Sequence, residues 1–553
     1  MKIYADIDVN SLFDIIATLV KTAQAATVES ERAMSWSREA DELARRRAVA
    51  AGLGGAEAIA KHHARGRLTI RERVDRLVDP GSLREVGSLT GQGRYENGTY
   101  IGGVPAPYVM GLAAIGGRPV AVGGEDFTVR GGTSWGGARR KGGQGGFIED
   151  LAFNYRIPLV NLIDGAGGTV ASARRRGYNV FPGVDGFERS VQLLGMVPVV
   201  CAVMGTAAGG PAGRAVLAHW SVMVRGTSQI FAAGPPVVAR SLGQQIDKED
   251  LGGAAVAVDQ AGTIDNVAPD EAACLEMIKR YLSYMPSNVW ELPPAVATGD
   301  PVDRADDALA EIVPHDRRKP YDMRRLIKLV FDKDSIFEIQ PSFGKAVITQ
   351  LGRLNGKVVG IIANNPMVNG GAMDVKASRK QTHFMELCDC FNIPIIFLVD
   401  VPGFMVGKQA EVAATLREGM RCVYVGGQLS VPTITLVIRK CYGMAGMATC
   451  NKNGLDLKIA WPSGEWGSLP VEGGVAAAFK REIEAAPDPR KREAEIEQEL
   501  RLLASPFRTA EAFAVEDVID PRETRPYLAR FIDAAQGAIA QNAGPKLKAG
   551  VRP

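Results

Sequence analysis

Cysteine is scarce, with seven residues in a chain of 553. So few thiols over this length exclude a disulfide framework and point to a reducing compartment, which makes a cytoplasmic protein the expectation. The closest pair, Cys388-Asp389-Cys390, has no second pair at zinc-ribbon spacing and reads as two buried thiols on a helix, so no metal site is expected. Long apolar runs are missing too. No stretch reaches the ~18 to 20 uninterrupted apolar residues of a membrane span, and the nearest, Leu193 to Gly210, is broken by Pro198 and by glycines. A formal net charge of +3 argues for neither nucleic acid nor an anionic membrane as partner. Asp6, Asp8 and Asp14 precede the first arginine, Arg32, unlike a transit or secretory leader. Five histidines supply no obvious triad, and no G-x-x-x-x-G-K-[ST] phosphate loop occurs. Gly205 to Gly210 lacks the spacing of a dinucleotide fingerprint.

What is present is glycine. Its 63 residues are about 11% of the chain against a usual ~7%, and they cluster in pairs at the ends of apolar runs. Ile393 to Phe404 is one such run, reading as a strand buried on both faces and closed by Asp400-Val401-Pro402-Gly403. Ile157 to Gly168 repeats the shape, closing on Asp164-Gly165-Ala166-Gly167-Gly168. Further landmarks keep the order. Gly117-Arg118-Pro119-Val120, Val129-Arg130-Gly131-Gly132 and Arg140-Lys141 match Gly356-Lys357-Val358-Val359, Val368-Asn369-Gly370-Gly371 and Arg379-Lys380 at an offset of 356 − 117 = 239. Phe147 and Glu149 match Phe384 and Glu386 at 237, Asp164 matches Asp400 at 236, and Val197-Pro198 matches Val431-Pro432 at 234. This is an internal duplication.

The expected organisation is an extension (1–34) with a short amphipathic helix, a first domain (35–292), a Pro/Asp-rich linker (293–320), a second domain (321–541) and a polar tail (542–553). Helix is expected from Trp36 to Ala60, and over a charged stretch from 475 to 505 interrupted at Pro487-Asp488-Pro489. Thr69 and Glu72 form a capping box, and His62-His63 read as surface residues.

Each half sets glycine-rich turns after buried strands, where exposed N–H groups can stabilise a developing oxyanion. The candidates are Gly131-Gly132 and Ala166-Gly167-Gly168 in the first half, and Gly370-Gly371 and Tyr442 to Gly446 in the second. A site of backbone donors with few acid–base side chains points to chemistry through an enolate-like intermediate.

Ala64-Arg65-Gly66-Arg67-Leu68-Thr69, Asp126-Phe127-Thr128-Val129-Arg130-Gly131-Gly132, Val399-Asp400-Val401-Pro402-Gly403-Phe404, Arg439-Lys440-Cys441-Tyr442-Gly443 and Ala504-Ser505-Pro506-Phe507-Arg508 lie in one order along the chain. In these motifs the chain resembles the carboxyltransferase (β) subunits of biotin-dependent acyl-CoA carboxylases, the propionyl-CoA and methylcrotonyl-CoA carboxylase group. The resemblance implies an α/β fold of two tandem crotonase-like (ClpP-like) domains, usually as a hexamer. It implies that acyl-CoA binds on the first half (Arg130, Gly131, Gly132, Gly165) and carboxybiotin on the second (Phe404, Tyr442, Gly443, Gly446). The thioester oxyanion hole would fall on Ala166, Gly167 and Gly168, where the family usually reads Asp-Ser-Gly-Gly-Ala. The biotin hole would fall on Met444 and Ala445, where propionyl-type members have Gly-Ala. Met447 stands where the family has an acidic residue associated with small acyl groups, implying a longer, branched or aromatic acyl group. No Ala-Met-Lys-Met biotinylation sequence or ATP-grasp region is present, so a biotin carboxylase and biotin carrier partner is implied. A decarboxylase α subunit and a non-catalytic acyl-CoA-binding scaffold are the alternatives.

Overall fold

The computed structural model describes residues 9–133, 141–142, 146–168, 173–174, 177–179, 181, 183, 185–449 and 457–546. Arg140 of the repeat landmarks, the first eight residues and the end of the tail lie outside them.

Alternating apolar strands and glycine turns build two sheets of one topology. β1 (Arg84–Glu85) leads into a hairpin, β2 (Gly91–Glu96) and β3 (Thr99–Pro105). The first sheet continues with β4 (Tyr108–Ile115), β5 (Arg118–Glu125), β6 (Leu159–Gly165), β7 (Val199–Ala208), β8 (Trp220–Val224), β9 (Gln229–Phe231) and β10 (Asn266–Ala268). The second comprises β11 (Phe337–Ile339), β12 (Val347–Leu354), β13 (Lys357–Asn364), β14 (Ile395–Val401), β15 (Thr433–Tyr442), β16 (Leu457–Ala460), β17 (Glu465–Gly467) and β18 (Asp517–Val518). Their orders are β1-β4-β5-β6-β7-β8-β10, with β9 beside β7, and β11-β12-β13-β14-β15-β16-β18, with β17 beside β15. In each sheet the first two pairings are antiparallel and the rest parallel.

Register carries the duplication to single residues. Leu159 pairs with Val199, and Ile395 with Thr433, offsets of 395 − 159 = 236 and 433 − 199 = 234. The same irregularity recurs before Gly165↔Ala207 and Val401↔Cys441. The central strands β6 and β14 are buried along their whole length, as continuous apolar runs in parallel sheets require. The halves share one core, in which Trp220 of β8 packs edge-on against Phe337 of β11. Asn266 donates to the Glu338 carbonyl (3.0 Å) and Gln340 to Asp265 Oδ1 (2.9 Å) across the junction.

Several local expectations change. The helix expected from Trp36 to Ala60 is two helices, Ser37–Ala51 and Ala56–His63. The break follows from close approach, since a Cβ on Gly54 would lie 2.2 Å from the Thr128 carbonyl oxygen. His62 is buried, not a surface residue: its ring stacks on Phe127 and its Nε2 lies 3.1 Å from the Leu68 carbonyl. The Thr69–Glu72 capping box is present. Residues 293–320 are fastened to the second half, where Arg353 donates to the Pro294 carbonyl (2.7 Å) and Arg304 to the Leu329 carbonyl (2.6 Å). The amphipathic extension runs as the helix Val9–Met34, and the charged stretch as Lys480–Ala485 and Pro489–Leu503. Cys388 is buried and Cys390 half-buried on the helix Val375–Cys390.

Candidate active site

Three turns converge at the carboxyl end of each central strand. In the first half they are Arg130–Gly132, the exit of β6 from Gly165 to Gly168, and the start of the helix Gly210–Val216. Their counterparts are Asn369–Gly371, Val401 to Phe404, and the helix Gly443–Ala448.

Left-handed backbone is required at matched positions. Gly131 has φ 64° and Gly370 φ 61°; Gly132 has 67° and Gly371 87°; Gly209 has 60° and Gly443 59°. A Cβ on Gly132 would sit 2.5 Å from the Asp164 carbonyl oxygen, and one on Gly371 2.3 Å from that of Asp400. Glycine here lets one turn lie directly on the next.

The turns differ in which N–H groups they leave available. The Ala166 N–H donates to the Gly131 carbonyl at 3.1 Å. Gly167 and Gly168 make no such bond among the described residues, and a Cβ on Gly167 would meet the Ala208 carbonyl at 2.4 Å. In the second half the position matching Ala166 is Pro402, which has no N–H. There Met444 and Ala445 lie in the first turn of a helix, where N–H groups have no intrahelical acceptor. The same positions of the first half are Gly210 and Pro211.

Beneath each turn a buried aspartate is held by arginine. Asp400 binds Arg439 (3.0 Å) and accepts the Lys440 N–H (3.2 Å). Asp164 binds Arg73 (3.0 Å), which also clasps Glu271 (2.6 Å). The donor has changed element because the position matching Arg439 is Gly205, where even a Cβ would fall 1.9 Å from Asp164 Oδ1. Burial opposes the Arg73 charge, but Asp164 and Glu271 outweigh it and raise its pKa above the ordinary value. The N–H of each aspartate is taken from the neighbouring strand end, Asp164 by Glu125 Oε2 (3.3 Å) and Asp400 by Asn364 Oδ1 (3.1 Å).

The sequence-assigned residues therefore divide between two clusters. Arg130, Gly131, Gly132, Gly165, Ala166, Gly167 and Gly168 sit together on the first sheet, with Arg130 reaching Gln92 of the hairpin (3.2 Å). Tyr442, Gly443, Met444, Ala445, Gly446 and Met447 sit together on the second. Phe404 joins that half through a bridge with Met373, its ring against Gly419. Met444 and Met447 are 45% and 65% exposed, so both thioethers border the second turn. Sequence reading missed Glu125, Arg214, Arg73 and Arg439; the repeat offset, extended from glycines to polar residues, would have matched Glu125 with Asn364. It also passed over the G-x-S-x-G spacing of Gly132 to Gly136, whose Ser134 lies outside the described residues. No group of metal-ligating side chains occurs among the described residues.

The carboxyl transferase domain family model matches residues 61–547. The carboxyltransferase subunit of propionyl-CoA carboxylase from Haloferax mediterranei is 36% identical, over 88% of this chain and 93% of its own. The methylmalonyl-CoA decarboxylase α subunit of Veillonella parvula is 32% identical, over 89% and 94%. The solved transcarboxylase 12S structure, described as a hexamer with methylmalonyl-coenzyme A bound, superposes with a TM-score of 0.84 at 32% identity, covering 94% of this chain and 98% of that one. The repeated crotonase-like architecture, the paired glycine turns and these likenesses agree. The chain belongs to the carboxyl transferase family, as a carboxyltransferase (β) subunit of the acyl-CoA carboxylase group that transfers carboxyl groups to acyl-CoA.

Proposed function

We propose that the two halves divide the reaction, the first binding acyl-CoA and the second the carboxybiotin of a partner chain that also supplies biotin carboxylase. Carboxybiotin, when bound, supplies the carboxyl group and, having lost it, the base for the α-proton. Gly167 and Gly168 hold the thioester oxygen as the α (or vinylogous) carbon becomes an enolate. Ala166, assigned to that hole from sequence, serves instead to brace the turn through Gly131. Gly131, Gly132, Gly165 and Arg130 form the wall for the CoA thioester. Met444 and Ala445 hold the ureido oxygen, with Phe404, Tyr442, Gly443 and Gly446 shaping the recess; two adjacent first-turn N–H groups fit one carbonyl oxygen. Each donor is worth roughly 2.7–4 kcal/mol of barrier. The observation that carries this reading is one turn geometry built twice, with few side chains able to act as acid or base. Exposed Val406, Val412, Leu416 and Met444 around the second turn suit a face covered by another copy, as in a hexamer. A reducing cytoplasm suits the six free cysteines among the described residues.

Met447 borders this recess, and we assign it to acyl selection, favouring longer, branched or aromatic groups. The likeness to the Veillonella decarboxylase subunit favours one second reading, the same holes run toward decarboxylation. Co-purification with the biotinylated partner, then ATP- and bicarbonate-dependent carboxylation over acetyl, long-chain, branched and aromatic CoA thioesters, decides. Carboxylation of one member supports the reading. Biotin-dependent decarboxylation without carboxylation transfers it to the second.

A further inference from the structure

Glu125 ends β5 at the one point where all three turns of the first half meet. A Cβ built on Gly132 would lie 3.1 Å from Glu125 Cβ, and one on Gly165 would lie 3.0 Å from Glu125 Cγ and 3.3 Å from Pro211 Cγ. Its carboxylate takes the Asp164 N–H through Oε2 and binds Arg214 of the helix Gly210–Val216 through Oε1. Both side chains are buried, at 5% and 1% exposure. Burial opposes the Arg214 charge, yet Glu125 raises its pKa above the ordinary value.

The duplicated half shows that folding needs no such charge. Asn364 takes the Asp400 N–H with a neutral amide, and the position matching Arg214 is Ala448. A buried ion pair is a poor source of stability, because desolvation offsets the attraction. Arg214 Nε and Nη1, moreover, have no hydrogen-bond partner among the described residues. The first half thus carries a charged strut where the second does the same backbone task with an amide and a methyl group.

We propose that Glu125 and Arg214 are positioning residues of the acyl-CoA half, clamping the β6 exit against the helix Gly210–Val216 so that the Gly167 and Gly168 N–H groups stay aimed at the thioester oxygen. This rests on the division of labour proposed above. The charged pair does it because two donors fixed by opposite charge resist the displacement that substrate entry imposes, and a misplacement near 1 Å costs about 10²-fold in rate.

The test is Glu125→Asn with Arg214→Ala, which installs the second half's arrangement, and Glu125→Gln alone should the double variant fold poorly. Each is assayed as the complex with its biotinylated partner, using whichever acyl-CoA the parent complex carboxylates. The expected result is a kcat about 10²-fold lower with KM changed less than threefold, while carbon dioxide release from the carboxylated carrier without acyl-CoA stays within twofold. Amide hydrogen exchange of the 159–168 peptide, which needs no substrate, should quicken at least tenfold with exchange of 395–404 unchanged. Unchanged kcat and exchange would overturn the proposal, as would equal loss of both partial reactions with general unfolding. Should the parent complex carboxylate nothing, the functional reading fails while the exchange experiment still decides the clamp.

Discussion

Replacing Ala445 by proline removes one hydrogen-bond donor from the second turn and adds a ring at a buried position. Proline lacks an N–H, and a first-turn helical N–H has no intrahelical acceptor to lose. The fold has already made this replacement once, because the position matching Ala445 is Pro211, in the first turn of Gly210–Val216 behind Gly209. Gly209 and Gly443, two residues before each position, share φ near 60° (60° and 59°). Proline's preferred φ near −65° suits this place in a helix. Ala445 is fully buried, so fitting the ring should cost about 1–3 kcal/mol of stability. The cost to catalysis should be that of one oxyanion donor, roughly 2.7–4 kcal/mol or about 10²–10³ in kcat. Turnover of the complex under saturating acyl-CoA, alongside the thermal midpoint of the subunit, measures both. A folded variant that keeps more than a third of the parent kcat would refute the assignment of this N–H to the reaction.

Four other outcomes follow from named contacts. Gly132→Ala and Gly371→Ala each press a Cβ within 2.5 Å of a strand carbonyl at positive φ, so each should lower stability by about 1–3 kcal/mol in denaturant unfolding. Arg73→Met takes the closest cation from buried Asp164 and Glu271 and should cost about 3–5 kcal/mol by the same measurement. His219 is neutral, accepting the Val199 N–H (3.0 Å) and lying 2.9 Å from the Leu194 carbonyl, with burial pulling its pKa from 6.5 to about 4. The folded pKa lies below the unfolded one, so this stability is present above pH 6.5 and is lost as pH falls toward 4. The loss is about 3 kcal/mol, and His219→Gln should flatten the unfolding free energy across that window. Met447→Asp should shift the acyl-CoA preference toward short chains, which a panel of thioesters reads directly; an unchanged profile removes Met447 from acyl selection.

Legibility tracked the range of the interaction. Continuous apolar runs ending in glycine place β6 and β14 because burial on both faces writes itself into consecutive residues, and the offsets of 236 and 234 reappear as strand register. The Thr69–Glu72 box was readable for the same reason, being local. His62 was not, since what buries it is Phe127, a residue distant in sequence. Ion pairs are the extreme case: Arg214 meets Glu125 across 89 residues and Arg73 meets Glu271 across 198. Nothing in periodicity or spacing couples such positions. The use of the Ala166 N–H was likewise hidden, because glycine spacing locates a turn but not the direction in which its amides point.

The duplication also explains why the halves are not interchangeable. Both inherit the aspartate at the central strand end, yet each satisfies it differently: Arg439 from within its own sheet, Arg73 from the helix Ile70–Leu77 outside it. A Cβ at position 205 would lie 1.9 Å from Asp164 Oδ1, so an arginine like Arg439 cannot occupy it without moving the strand. Pro211 lacks the helix-start N–H that Ala445 has, whereas Pro402 stands where the Ala166 N–H braces Gly131. The oxygen-binding amides proposed above lie at the strand exit in the first half and at the helix start in the second. Under the proposed division of labour these would be two oxygen sites that differ in position along the turn, as a reaction with two unlike carbonyl oxygens requires.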